Sequence, residues 1–95
     1  RRERVVADSR AAGRSWAVLE GPEPDALTDG RSVALHVASG AFVTASVDPW
    51  SERRPVFALE VVAAGGTAES RTFTERAVWL AEIERCRREI EAAAR

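Results

Sequence analysis

The spacing of apolar positions changes once along the chain. From residue 15 to 64 they fall in short runs with a period near two: "SWAVLE" (15–20), "RSVALHVA" (31–38), "AFVTASV" (41–47) and "VFALEVVA" (56–63). Alternation of this kind predicts strands. The intervening segments hold the turn formers: "GPEPDALTDG" (21–30), Ser39-Gly40, "DPWSERRP" (48–55) and Gly65-Gly66. The Ser39-Gly40 pair predicts a tight hairpin turn between the second and third runs. In "TERAVWLAEIERCRREIEAAAR" (74–95) the period lengthens, and Trp79, Leu80, Ile83, Cys86 and Ile90 fall within about a third of a helical circumference. Thr72 and Glu75 stand at capping-box spacing, so the helix is expected over 72–94. Its outer side carries Glu84–Arg88, Arg85–Glu89, Arg87–Glu91 and Glu91–Arg95 at i,i+4, each contributing ~0.2–0.5 kcal/mol. Residues 1–13 read as an N-terminal arm or a short helix.

These patterns imply an α+β fold in one domain, 1–95: a mostly antiparallel sheet or small open barrel of about four strands, closed by one long C-terminal helix. Val33, Leu35 and Val37, then Val43, Ala45 and Val47, then Phe57, Leu59 and Val61, are expected to form the face under the helix, with Trp79 as its anchor. The other face would carry Ala34, His36 and Ala38, then Phe42, Thr44 and Ser46, then Val56, Ala58, Glu60 and Val62. A solvated antiparallel face usually holds more charge than this. Barrel curvature, the N-terminal arm or a partner could each account for it.

Composition narrows the chemistry. The chain has 95 residues, 45% of them hydrophobic, enough for one core. Fourteen Arg balance 15 acids, so there is no global attraction to nucleic acid or anionic lipid. Lys, Asn, Gln, Tyr and Met are absent, which points to a GC-rich bacterial genome. The start at Arg1 without Met reads as an excised piece. Cys86 is the single cysteine and excludes an internal disulfide, which suits a reducing, cytoplasmic setting. No run reaches the ~18 apolar residues of a membrane span.

Catalytic groupings are missing. His36 has no adjacent carboxylate or nucleophile in the sequence, and its expected role is structural or at the surface. Cys86 lies on the apolar stripe, as a packed thiol does. One His and one Cys make no metal-ligand spacing, and the diglycine 65–66 lacks the Lys of a phosphate loop. No cofactor or metal is expected. Two loop features invite binding. Trp50 beside Arg53 and Arg54 suits an anion, an acidic peptide or a stacked base, or Trp50 folds back to plug one end of the sheet. Arg10 and Arg14, ahead of Trp16, are candidate anion contacts.

Two segments together resemble a pleckstrin-homology domain. "GRSWAVLEG" (13–21) is similar to that family's second strand, and "TERAVWLAEIERC" (74–86) to its closing helix, with Trp79 at the helix tryptophan. The resemblance implies a bent barrel plugged at one end by the helix, in a module that binds phosphoinositides or proteins. Only Arg10 and Arg14 match the family's basic cluster, so it does not carry lipid binding beyond weak anionic contact. The expected function is a non-catalytic interaction module. It would bind a protein partner, or itself as a homo-oligomer, through His36, Phe42, Val56 and Ala58 and the Trp50/Arg53/Arg54 loop. The alternative is a small-ligand-binding or auxiliary enzyme subunit with the same face as a pocket wall.

Overall fold

The computed structural model describes residues 15–50, 54–63 and 65–94. Five strands follow in chain order: β1 (Trp16–Glu20), β2 (Gly30–His36), β3 (Phe42–Asp48), β4 (Val56–Val62) and β5 (Ala68–Phe73). One helix, α1 (Arg76–Ala93), closes the chain, and a short 3-10 turn (Pro24–Ala26) lies between β1 and β2. Each strand pairs antiparallel with the next, in the spatial order β1-β2-β3-β4-β5. Among the described residues the sheet is open, with β1 and β5 as its edges, so the fold is α+β with five strands there rather than about four.

The additional strand is β5. Its sequence, AESRTF, shows little hydrophobic alternation, because five of its six residues are exposed on an edge. Thr72 belongs to this strand, so the capping box is not formed. The helix begins at Arg76 with Glu75 at its N-cap and no side-chain cap.

Strand register determines which residues meet the helix. Ala34 pairs with Val43 and Ser32 with Ala45; these in turn oppose Val61 and Leu59, and Val47 opposes Phe57. Partners directly opposite share a face, and this face lies under α1. Val43, Ala45, Val47, Phe57 and Leu59 are buried here as expected. In β2 the phase is reversed: Ser32, Ala34 and His36 are buried, at 2–4% exposure, while Val33 and Leu35 point to the other side. Val37 lies in the turn and is 52% exposed.

Volume explains the reversal. Trp79 (0% exposed), Leu27 (2%) and Trp16 (4%) all enter the layer between sheet and helix. Beneath such bulk a close-packed interior needs small neighbours, and β2 supplies Ser32 and Ala34. Trp79 lies against Phe57, with ring centroids 5.1 Å apart, and its indole N–H donates to the Ala58 carbonyl at 2.8 Å. At the other end of the helix, Trp16 donates to Glu91 at 2.6 Å, and the Arg87 guanidinium lies 5.2 Å from its ring centroid. Arg76 donates to the Asp25 carbonyl at 2.9 Å, holding the β1–β2 connection against the helix. That connection leaves β1 at Gly21 with φ +76°, where an added Cβ would stand 2.1 Å from the Arg31 carbonyl oxygen.

Candidate functional site

The face away from α1 is built by the same register in the opposite phase. One row across it reads Ala17, Leu35, Phe42, Val62 and Ala68. The next two read Val33, Thr44, Glu60 and Ser70, then Arg31, Ser46, Ala58 and Thr72. Asp48 and Val56 end it. The first row is apolar at one end of the sheet, and the centre is rich in hydroxyls. Ala17 is fully covered, but Leu35 and Val62 are half-buried and Phe42 is 36% exposed. Neither α1 nor the 3-10 turn covers this face, and barrel closure does not hide it, since the sheet is open.

Charged groups on the face are few. Arg31 and Glu20 form an exposed pair at 3.2 Å. Glu60 stands at the centre among Thr44, Ser46, Ser70 and Thr72, with no ion-pair partner among the described residues. Because Ala58 is small, these side chains border a shallow depression of about 560 Å³.

Of the residues expected at the site, Phe42, Val56 and Ala58 are on this face. His36 is not: it is 4% exposed on the helix side, 4.9 Å from the Trp16 ring. Its Nδ1 lies 2.8 Å from Ser39 Oγ and accepts the Ser39 backbone N–H at 3.3 Å, so the ring ties down the β2–β3 turn. In its place the face gains Val33 and Leu35, expected from the alternation to lie under the helix.

Trp50 does not fold back as a plug. Its backbone N–H donates to Asp48 Oδ1 at 3.0 Å, and its side chain is 83% exposed. Arg54, on the same β3–β4 connection, is exposed too. Arg53, Arg10 and Arg14 lie outside the described residues, as does the segment 1–13.

Cys86 is buried at 9% exposure, and burial raises its thiol pKa, with the nearby Glu82 carboxylate adding to the effect. Among the described residues no three His, Cys, Asp or Glu side chains gather as metal ligands. None of the helices there is long and apolar enough to cross a membrane. A second groove of about 420 Å³ runs between the 3-10 turn and α1, past Pro24, Leu80, Glu84 and Arg87. Its Arg87 already serves Trp16 and Glu23, the latter at 3.4 Å. Among the described residues, the open sheet face is the larger surface on which no helix or turn packs. Comparison with protein families, with curated proteins and with solved structures finds no match to this chain.

Proposed function

We propose that this protein is a non-catalytic interaction module that docks a protein partner on the open face of its sheet. One observation carries this reading: Leu35, Phe42 and Val62 form a partly exposed apolar row on a face that neither α1 nor the 3-10 turn covers. Apolar side chains held side by side on a rigid sheet bury area on docking at little entropic cost. The hydroxyl-lined centre and the Arg31/Glu20 pair supply the polar surround that protein interfaces have. Trp50 and Arg54 extend the contact from the β3–β4 connection.

The experiment is site-specific photo-crosslinking in cells of origin. A photoreactive residue at 42 or 58 is expected to give a discrete adduct that Val62→Arg removes, whereas one at 88, on the exposed outer side of the helix, gives none. Equal labelling from all three positions, or adducts indifferent to Val62→Arg, would rule the open face out as the docking surface.

A further inference from the structure

Strand β5 has a partner on one side only. Among the described residues no strand pairs along its outer side, and Ala68 to Thr72 are all exposed. The Ala63 N–H donates to the Thr67 carbonyl at 2.8 Å. Antiparallel ladders alternate, so two residues on from Thr67, Glu69 turns its amide and carbonyl toward β4, and so do Arg71 and Phe73. Ala68, Ser70 and Thr72 therefore direct theirs outward, a row of donors and acceptors ready for another strand.

Charges on an edge ordinarily keep strands apart. Here their order decides which strand is admitted. Glu69 and Arg71 face the helix side, opposite Val61 and Leu59. In antiparallel pairing with an identical strand, outward residues must meet outward residues, which leaves three registers with substantial overlap. Centring on Glu69 sets Glu69 against Glu69, and centring on Arg71 sets Arg71 against Arg71. Centring on Ser70 sets Glu69 of each copy against Arg71 of the other, in the closer, non-hydrogen-bonded type of pair.

We propose that β5 pairs antiparallel with β5 of a second copy, Ser70 opposite Ser70, so that two five-stranded sheets join edge to edge. The pairing forms about six backbone hydrogen bonds between the chains and two Glu69–Arg71 cross-strand pairs. Each pair is flanked by the Arg71–Glu82 ion pair of its own chain. The interface is the sheet edge, distinct from the open face, and does not depend on what docks there.

Sedimentation velocity across a concentration series of the full chain tests this. The parent protein should dimerise. Glu69→Arg and Arg71→Glu, each placing like charges opposite one another twice, should raise the dimer dissociation constant about 10- to 100-fold. Mixed in equal amounts, the two variants should recover association as a heterodimer, since arginines on one strand then face glutamates on the other. The double variant Glu69→Arg/Arg71→Glu should dimerise with itself and reject the parent chain. Thermal melts confirm that each variant is folded. A parent protein that stays monomeric, single variants that still dimerise, or folded variants that fail to pair when mixed would each overturn the proposal.

Discussion

The reversed phase of β2 makes a prediction opposite to the one hydrophobicity suggests. Leu35 is the larger apolar residue, and on composition alone its replacement by a charge should be worse than the same change at Ala34. The structure reverses the order. Ala34 is 2% exposed, paired with Val43 beneath the layer that holds Trp16 and Trp79. A lysine there must bury its ammonium without a partner or push the helix off the sheet. The cost of an unpaired buried charge is on the order of 5 kcal/mol or more. A domain of this size has a total stability of roughly 5–14 kcal/mol. Ala34→Lys should therefore be largely unfolded or nearly so. Leu35 is half-buried on the open face, where a lysine keeps its charge in water and lays its methylenes along Phe42. The loss there is about 1 kcal/mol of apolar burial, or roughly 4–8 °C in Tm. Urea denaturation followed by tryptophan fluorescence measures both, because Trp16 and Trp79 are buried. If Leu35→Lys cost as much as Ala34→Lys, the assignment of faces would be wrong.

Four further outcomes follow from local geometry. Gly21→Ala should destabilise by more than about 2 kcal/mol, since a positive φ is compounded by a Cβ 2.1 Å from the Arg31 oxygen. Gly40→Ala, also at positive φ but with open space around its Cβ, should cost only about 1 kcal/mol by the same denaturation assay. Glu82 accepts hydrogen bonds from Arg85 and sits beside the Arg71 charge, which holds its carboxyl below the usual range despite partial burial. A depressed folded pKa gives stability that is fully present above the unfolded value and lost as the pH falls through the folded one. Unfolding free energy should accordingly decline below about pH 4.3, and Glu82→Gln should remove part of that slope. Cys86, buried and with a raised pKa, should react with a disulfide reagent on the order of a hundredfold more slowly in the native protein than in denaturant. Equal rates would show the thiol to be open.

Much of this arrangement is legible in the chain, and the exceptions have definite causes. The helix stripe is plain because Trp79, Ile83 and Cys86 are all buried at helical spacing. β3 and β4 are read in the right phase because Val43, Val47, Phe57 and Leu59 are large on one face. β2 misleads because its larger residues, Val33 and Leu35, lie on the uncovered side. A signal for the correct phase was available in the turn. A hairpin closed by two or four residues pairs odd positions with even ones, so Val43 must share a face with Ala34 or His36 and not with Val33. The structure closes it with residues 37–40, and the His36 N–H donates to the Ala41 carbonyl at 2.7 Å. β5 escapes detection for a different reason. An edge strand is held by backbone pairing to one neighbour, so side-chain periodicity need not mark it. Trp50 lies in a turn, where the Asp48 carboxylate accepts its backbone N–H and its side chain stays exposed, and composition does not distinguish that setting from a plug.

The open face and the β5 edge become linked if both are used. Joining two copies about Ser70 places the symmetry axis perpendicular to the sheet, which keeps both open faces on the same side. The hydroxyl-lined strips around Ser70 and Thr72 then meet at the middle, and the two Phe42 side chains stand roughly 25–30 Å apart, from strand spacing and rise. A partner that carries two matching apolar anchors, or two linked copies of one, would engage both rows at once and gain the effective-concentration advantage of an intramolecular second contact. A partner with a single anchor would gain nothing. Glu69→Arg, which touches no residue of the open face rows, should thus leave monovalent binding unchanged while weakening a bivalent partner by about 10²-fold or more. The comparison is made by titrating the same partner in monomeric and tandem form against parent and variant. A variant that weakened the monomeric partner equally would show that the edge substitution disturbs the face itself, and the two surfaces would then have to be treated as one.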